Sequence, residues 1–303
     1  MSVRKILITG ADGFVGRHLV AACERAATAV VAVTRRTNAI RHGHEAMQLD
    51  LRDGRSRAPL VDALDGCDAA VFLAAVTPSP DASPDLYSSN LAIDRLSAEA
   101  FERSHCAKAV YLSGISVLGF GAGVVNEESV PRPSGDYTRA KTAGEVTFTE
   151  TGRRVGRPVA VLRVNAPYGS GMPDHAVVPT FLARATAGRP VVVHGDGRRV
   201  QQFTWIKDCA AAILSVADSG SGIFHFCGPD RVTILELAGM CRDAAKSTSE
   251  IIMEPARNSG PSCPEIAPDR LEAVYPLRRR TPLHDGLARF AARFHRQHAG
   301  VGS

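Results

Sequence analysis

The sequence predicts an α/β protein with a doubly wound parallel sheet and a smaller, mostly helical C-terminal lobe. Three observations lead to this prediction. Short apolar segments alternate with helical segments from the N-terminus onward, and the first apolar segment runs directly into three glycines spaced three apart. After Gly228 the chain becomes more polar and more helical in pattern.

The predicted elements follow one another in the order of a parallel sheet with crossover helices. Strands are predicted at 5–9, 29–34, 46–49, 69–74, 108–113 and 158–163, with helices near 14–26, 58–65, 87–105 and 136–152. Residues 203–216 are predicted to form a helix and residues 222–226 a strand that returns to the sheet. Residues 169–200 are richer in Pro, Gly and polar residues, and no element is predicted there. We therefore predict one domain from residues 1–168 and 203–227, and a second lobe from residues 169–202 and 228–303.

The glycine triplet follows the first strand. Gly10 can form a tight turn, Gly13 lets backbone N–H groups approach a pyrophosphate, and Gly16 lets the next helix lie close to the strand. That helix points the positive end of its dipole at the phosphates. Three glycines alone are also typical of an ordinary loop, but a second strand after the helix completes a βαβ unit. The sequence therefore predicts a Rossmann-like fold that binds a dinucleotide.

Composition and charge exclude several classes of protein. A chain of 303 residues with 45% apolar content can bury a large core. We expect a cytoplasmic protein without a membrane partner, because no apolar window reaches the ~18 residues of a membrane span and the N-terminus lacks a signal peptide. The net charge of +5 and short basic tracts without interleaved aromatics argue against nucleic acid and fit an anionic small ligand. Seven scattered cysteines without a C-x-x-C pair indicate neither a metal site nor a disulfide framework.

The end of the second strand bears on the choice of cofactor. Thr34 stands where an NAD-binding protein usually carries an acidic residue for the ribose hydroxyls, and Arg35 and Arg36 follow it. Two guanidinium groups can clamp a 2′-phosphate, which favours NADP over NAD. Two solvated arginines at a strand end are the alternative. The rest of the cofactor path is predicted at the carboxyl ends of the third and fourth strands, at Asp50, Leu51, Leu73, Ala74 and Ala75.

Tyr137 and Lys141 are four residues apart on a predicted helix and therefore share one face. A phenol with a pKa of about 10 is a poor acid–base catalyst at neutral pH, but a neighbouring ammonium stabilises its phenolate. An amphipathic helix with a half-buried Tyr and a surface Lys explains the same spacing. Since the pair follows the small-residue strand end at 110–119 in a chain that begins with a dinucleotide loop, we predict a catalytic pair.

Several motifs together resemble the extended short-chain dehydrogenase/reductase family, in its NAD-dependent epimerase/dehydratase group. They are T-G-A-D-G-F-V-G, F-L-A-A, L-S-G-I-S-V-L-G, Y-T-R-A-K-T-A-G-E, L-R-V-N-A-P-Y-G and G-D-G-R-R-V-Q-Q-F-T-W-I-K-D-C-A-A-A-I. The resemblance spans nearly the whole chain, including residues 281–287, and is nearest to UDP-glucose 4-epimerase-like and nucleotide-sugar 4-reductase members. It implies an NAD(P)-dependent epimerase or ketoreductase that acts on a nucleotide sugar, without specifying which one.

The resemblance also implies roles for individual residues. Tyr137 would be the acid–base, Lys141 would orient the nicotinamide ribose, and Asn90 would line the cofactor path with Asp50, Leu51 and Ala74. The loop residues that would contact the cofactor are Gly10, Asp12, Gly13, Phe14, Val15 and Gly16.

The chain departs from the family at the third catalytic position, where Gly114 replaces a Ser or Thr. Ser113 is expected to point to the opposite face of its strand. Ser116, two residues after Gly114, points to the same face of the strand as residue 114 if the backbone stays extended. We therefore expect Ser116 to supply the hydroxyl, with Ser113 as the second candidate.

Two further departures concern the substrate. Ala166 stands where sugar-nucleotide enzymes usually carry Asn, with Asn165 shifted by one, and Gln201, followed by Gln202, replaces an Arg that grips a phosphate. A neutral amide bonds a phosphate about half as strongly as a guanidinium, which weakens the case for a nucleotide diphosphate. Arg198 or Arg199 could substitute. The predicted substrate-binding residues are Asn165, Arg198 and Gln201.

Two other functions stay open from the sequence. The departures at residues 114, 166 and 201 favour a reductase or dehydrogenase of a non-nucleotide hydroxyl or carbonyl compound. Gly114 also allows a non-catalytic dinucleotide-sensing protein, against which the Tyr137–Lys141 pair argues. A homodimer through the helices at 87–105 and 136–152 is expected from the resemblance.

Overall fold

The computed structural model describes residues 3–36, 44–78, 85–121, 123–255 and 261–298. The strands are β1 (Lys5–Thr9), β2 (Ala29–Thr34), β3 (Glu45–Gln48), β4 (Ala69–Phe72), β5 (Ala109–Gly114), β6 (Val124–Val125), β7 (Val159–Val164), β8 (Pro167–Tyr168), β9 (Val191–His194), β10 (Val200–Gln202), β11 (Thr204–Trp205), β12 (Gly222–Phe226), β13 (Arg231–Thr233), β14 (Ile251–Glu254) and β15 (Glu265–Ile266). The helices are α1 (Phe14–Arg25), α2 (Arg57–Asp65), α3 (Leu86–Arg103), α4 (Asp136–Val155), α5 (Val177–Thr186), α6 (Ile206–Ser219), α7 (Ile234–Ala244) and α8 (Leu283–His298).

Seven parallel strands form the central sheet in the order β12-β7-β5-β4-β1-β2-β3. The strand β1 pairs with β2 on one side and with β4 on the other, so the direction of winding reverses there. Thr9 and Phe72 are register partners, and the chain therefore leaves β1 and β4 side by side. Open α/β sheets bind ligands at such a point, beyond the carboxyl ends of the strands. The predicted doubly wound parallel sheet is confirmed.

Both faces of this sheet are covered by helices, which explains why its strands are nearly continuous apolar runs. One apolar core contains Ile6, Ile8 and the α6 residue Ile213, and α1 packs beside α6. The other contains Leu7, Phe101 from α3 and Phe148 from α4, and α3 packs beside α4. No helix among the described residues is long and apolar enough to cross a membrane.

A third core, around Phe181, Leu237 and Leu287, joins α5, α7 and α8. Short strand pairs, β10 with β13 and β9 with β14, lie beside these helices. This core draws on both stretches that were predicted to form the second lobe. The predicted division into two units itself stays a prediction.

Two local predictions need correction. The stretch 169–200 contains α5 and β9, because Pro179 lies in the first turn of α5, where a missing N–H breaks no helical bond. The helix predicted from residue 203 begins only at Ile206, because Thr204–Trp205 pairs as a short strand with Pro167–Tyr168.

All seven cysteines are buried. Removal from water disfavours the charged thiolate, so burial raises the pKa of the Cys67 thiol to about 12 and that of Cys106 to about 11. These side chains pack as small apolar groups.

Candidate active site at the carboxyl ends of the strands

The glycine loop has the backbone geometry that its spacing predicts. Gly10 has a φ of +67°, and a Cβ there would lie 3.0 Å from the backbone of Ala74. A Cβ on Gly16 would overlap the carbonyl oxygen of Gly10, so α1 packs against the loop at a distance that only glycine allows. Gly13 precedes the first turn of α1, and its N–H donates to the Gly10 carbonyl at 3.0 Å. The loop and the N-terminus of α1 thus fit a pyrophosphate group.

A crevice lies next to this loop, at the point where the winding of the sheet reverses. Ten of the predicted cofactor-binding residues line it: Gly10, Asp12, Gly13, Arg35, Arg36, Asp50, Leu51, Leu73, Ala74 and Ala75. Thr34, which marks the end of the second strand, also lines the crevice, and the residues that were not predicted there are Val33, Leu49, Arg52, Val76 and Ile93. Most of these are immediate neighbours of predicted residues, so the strand ends themselves were the available signal.

Phe14, Val15 and Gly16 are not among the residues that line the crevice. Phe14 and Val15 begin α1 and pack their side chains against the first apolar core. Any contact of theirs with the cofactor would come from the backbone of the first helical turn.

Charged side chains form the outer rim of the crevice. Arg36 bonds Asp12 Oδ2 through Nε and Nη2, both at 3.0 Å, and its backbone N–H donates to Thr34 Oγ1. Arg52 bonds both carboxylate oxygens of Asp50, and these bonds hold the pKa of Asp50 down at about 2. Three arginines and two carboxylates therefore surround this end of the crevice.

The predicted catalytic pair lies at the start of α4. Tyr137 is half-buried in the first turn, and Lys141 follows one turn later and is buried. The Lys141 Nζ donates to the carbonyl of Leu112 at 2.9 Å and to Tyr111 Oη at 3.3 Å. Because Lys141 is held against β5, the alternative of a surface lysine is wrong.

Behind the lysine lies a buried acid that the sequence analysis missed. The Tyr111 hydroxyl donates to Asp94 Oδ2 at 2.7 Å, and both side chains are buried. Burial raises the pKa of Asp94 to about 6, although the charge of Lys141 and the Tyr111 bond oppose this rise. The available signal was a pair of polar residues at core positions, Asp94 in a predicted helix and Tyr111 in a predicted strand.

The two candidate serines have different surroundings. Ser113 is buried and donates to Glu145 Oε1 at 2.5 Å, so it faces away from the side of residue 114 as predicted. The premise of an extended backbone at Ser116 is wrong, because residues 115–118 form a 3₁₀ turn. This turn nevertheless brings Ser116 Oγ to 3.2 Å from the position that a Cβ on Gly114 would occupy. The Ser116 hydroxyl thus lies where the missing side chain would begin.

Glu145 also anchors a buried charged network beneath β5. Arg163 bonds both carboxylate oxygens of Glu145, at 2.9 and 2.6 Å, and its Nη1 lies 3.4 Å from His225 Nε2. Burial, with the charge of Arg163, lowers the pKa of His225 to about 3, so this histidine is neutral.

Asn90 contributes to the crevice through the backbone that it holds. Its Oδ1 accepts from the N–H of Val76, and its Nδ2 donates to the carbonyls of Val76 and Leu86, at 2.8 to 2.9 Å. Its polar atoms are thereby engaged, and the residue that lines the crevice is Val76.

The three predicted substrate-binding residues lie outside the crevice lining. Asn165 is buried and donates to the Gln202 carbonyl at 2.7 Å. Gln201 pairs with Val232 in the β10–β13 ribbon, and Arg198 is exposed in the preceding loop. Their role in substrate binding stays a prediction.

Comparisons with known proteins agree with this geometry. The model of the NAD dependent epimerase/dehydratase family matches residues 6–225. A dTDP-4-dehydro-6-deoxy-D-allose reductase of Streptomyces bikiniensis is 29% identical over 325 aligned positions, which cover 97% of each chain. A dTDP-glucose 4,6-dehydratase of Streptomyces niveus is 28% identical over 77% of this chain and 75% of its own.

Among solved structures, that of MoeE5 in complex with UDP-glucuronic acid and NAD superposes with a TM-score of 0.85. It is 27% identical and covers 97% of this chain and 99% of its own. The family model, the glycine loop and the crevice beside it lead to one conclusion: the chain belongs to the NAD-dependent epimerase/dehydratase family, of the extended short-chain dehydrogenase/reductase type.

Proposed function

We propose that the protein is an NAD(P)-dependent epimerase or ketoreductase of a nucleotide sugar, with Tyr137 as its acid–base. One observation carries the proposal: Lys141 is buried and bonded to β5 one helical turn from Tyr137. An ammonium in that place would stabilise the negative charge that develops on the substrate and tyrosine oxygens during proton transfer. The relatives named as a reductase and a dehydratase of dTDP-linked sugars support the substrate class.

The cofactor would be held by the residues that line the crevice. Gly10, Gly13 and the N-terminus of α1 would bind the pyrophosphate, while Asp50 and Ala74 would lie along the adenosine half. When bound, the nicotinamide supplies the hydride acceptor and donor for the reaction.

The protein's own part is proton transfer and orientation. Tyr137 takes a proton from a substrate hydroxyl as that carbon is oxidised, and returns it when the carbonyl is reduced. Ser116 donates a hydrogen bond to the same oxygen, and the Lys141 ammonium stabilises the negative charge that develops as the proton moves.

Tyr137→Phe tests this role. Loss of the phenol hydroxyl should lower kcat by about 10²- to 10⁴-fold, with dinucleotide affinity nearly unchanged. The protein is incubated with a UDP-hexose and with a 4-keto sugar nucleotide while the absorbance of reduced cofactor and the product epimers are followed. Tyr87→Phe, which removes the hydroxyl of an exposed tyrosine on α3, is the control. Full turnover in Tyr137→Phe would exclude the proposed acid–base. Absence of turnover in the unaltered protein and in the Tyr87→Phe control would favour a dinucleotide-sensing role.

We further propose that NADP is preferred over NAD. Arg36 exposes its guanidinium at the rim and is oriented by Asp12, and Arg35 also lines the crevice. Two cations at the ribose end favour a 2′-phosphate. Isothermal titration should give at least a tenfold lower Kd for NADP⁺ than for NAD⁺, and Arg36→Gln should remove most of that difference. Equal affinities in the unaltered protein would contradict this preference.

A non-nucleotide carbonyl compound is the second candidate substrate. The observation in its favour is that Gln201 replaces the phosphate-binding arginine while Asn165 is engaged with the Gln202 carbonyl. Competition by UDP and dTDP separates the two candidates, because only a nucleotide-sugar enzyme should bind these nucleoside diphosphates, the nucleotide part of its substrate, at micromolar concentrations.

A further inference from the structure

The amine of Lys141 is buried, and its two hydrogen-bond partners are both neutral. They are the Leu112 carbonyl oxygen at 2.9 Å and the Tyr111 hydroxyl at 3.3 Å, and the Nζ stands 4.5 Å from the centre of the Tyr111 ring. Burial of an ammonium without a counter-charge is costly, and a lysine so placed tends to lose its proton. A protonated Lys141 therefore requires a negative charge nearby.

Asp94 of α3 lies on the far side of the same hydroxyl. Tyr111 donates its proton to Asp94 Oδ2 at 2.7 Å and accepts from Lys141, which uses both capacities of a phenol oxygen. Charge on Lys141 and charge on Asp94 stabilise each other, since Lys141 lowers the pKa of this carboxyl against the effect of burial. The three side chains form a continuous buried chain from carboxylate through phenol to ammonium.

The backbone of α4 leaves room for this cluster at Gly144. A Cβ on this residue would overlap both Tyr111 Oη and Asp94 Oδ2. Gly144 lies three residues after Lys141 and so near the same face of the helix. Any other residue at position 144 would displace the Tyr111–Asp94 bond.

The other titratable groups that interact with the cluster are Tyr137 and Glu145, both on α4. The charge of Glu145 is balanced by Arg163, which donates hydrogen bonds to both of its carboxylate oxygens. We propose that Asp94, bridged by the Tyr111 hydroxyl, is the counter-ion that keeps Lys141 protonated and positioned. Asp94 and Tyr111 are positioning residues for Tyr137, and this part of the inference rests on the proposed function.

The chain has five lysines, at positions 5, 108, 141, 207 and 246, so their ε-methylene signals can be resolved by NMR after selective ¹³C labelling. The Lys141 signal is assigned from Lys141→Arg. Asp94→Asn keeps the shape of the side chain and an acceptor for Tyr111. The titration midpoint of the Lys141 signal should fall by about one pH unit or more in this variant, a tenfold loss of proton affinity. The other four lysines should not move.

Two more variants complete the test. Tyr111→Phe removes the bridge and should also lower the Lys141 midpoint. Asp208→Asn removes a half-buried α6 carboxyl that is bonded to Thr281, and it should leave the midpoint unchanged. An unchanged Lys141 midpoint in both Asp94→Asn and Tyr111→Phe would overturn the assignment of Asp94 as the counter-ion of Lys141.

A kinetic readout links the cluster to turnover. In Asp94→Asn the alkaline limb of the pH profile of kcat/KM should move to lower pH, by the same amount as the Lys141 midpoint. If Tyr137→Phe retains turnover, the proposed function fails, but the lysine titration still decides whether Asp94 is the counter-ion.

Discussion

Ser116 and Ser113 are three residues apart but belong to different environments. Ser116 reaches the space beside Gly114, whereas Ser113 is bonded to Glu145 in the core. We predict that Ser116→Ala lowers kcat/KM by about 10²-fold, the usual effect of losing one donor to a developing oxyanion, without changing dinucleotide affinity. Steady-state kinetics and titration calorimetry measure the two effects.

Ser113→Ala provides the comparison. It should leave kcat/KM nearly unchanged and lower the free energy of unfolding by about 1–3 kcal/mol, because Glu145 loses a buried donor. A loss of turnover in Ser113→Ala but not in Ser116→Ala would reverse the assignment.

At the residue scale, local spacing was sufficient for the glycine loop and for the shared face of Tyr137 and Lys141, because both depend on neighbours in the chain. Partners from distant segments were not predictable. Asn90 bonds the loop at Val76, and Asp94 bonds a strand 17 residues away, and no local pattern specifies either contact.

Among the elements, α1 depends most directly on one glycine. A Cβ on Gly16 would overlap the Gly10 carbonyl and crowd Ala11. Gly16→Ala should therefore lower the free energy of unfolding by about 1–3 kcal/mol, the usual cost of overpacking, and weaken dinucleotide binding by moving the helix N-terminus. Urea denaturation and cofactor titration measure both effects.

Gly239→Ala is the matched control, since this glycine lies inside α7 and a Cβ there meets nothing within 4 Å apart from its chain neighbours and the backbone of its own helix. It should stabilise the protein by about 0.5–1 kcal/mol through helix propensity. If Gly16→Ala were equally stabilising, the close packing of α1 on the loop would be refuted.

Strands of the central sheet were predictable because burial on both faces makes them continuous apolar runs. The elements of the second lobe were harder to predict. Its strands are two to four residues long, as in β9 and β10, and are defined by pairing with remote segments rather than by periodicity. The proline in the first turn of α5 also obscured that helix.

At the scale of the whole molecule, His225 makes stability depend on pH. Its pKa is lowered to about 3 in the folded protein from 6.5, so below pH 6.5 the unfolded chain binds a proton that the folded protein does not. The free energy of unfolding therefore decreases as the pH is lowered below 6.5, and this group contributes up to about 1.4 kcal/mol per pH unit to the decrease. Asp94 acts in the opposite direction between pH 6 and 3.8, because its raised pKa makes the folded protein take up a proton first.

Comparison with His225→Gln isolates the histidine, since Asp94 contributes to both proteins. Between pH 6.5 and 5 the unaltered protein should lose about 1.6 kcal/mol more than the variant, in urea denaturation at a series of pH values. Parallel stability curves for the two proteins would show that His225 titrates normally in the folded state.

How two copies of the chain would associate is harder to predict from the sequence than the fold of one chain. The homodimer expected through α3 and α4 stays a prediction, and Val146 on α4 keeps 59% of its surface exposed. A patch made by two helices requires knowledge of how they lie side by side, which hydrophobic periodicity within each helix does not provide.

The burial of all seven native thiols has a practical consequence. Each has a raised pKa, so almost none is nucleophilic at neutral pH and maleimide reagents should leave the folded chain unmodified. One cysteine introduced at position 146 would then be the sole point of attachment for a fluorophore. Energy transfer between donor- and acceptor-labelled chains could follow association of subunits without any background from endogenous sulfur.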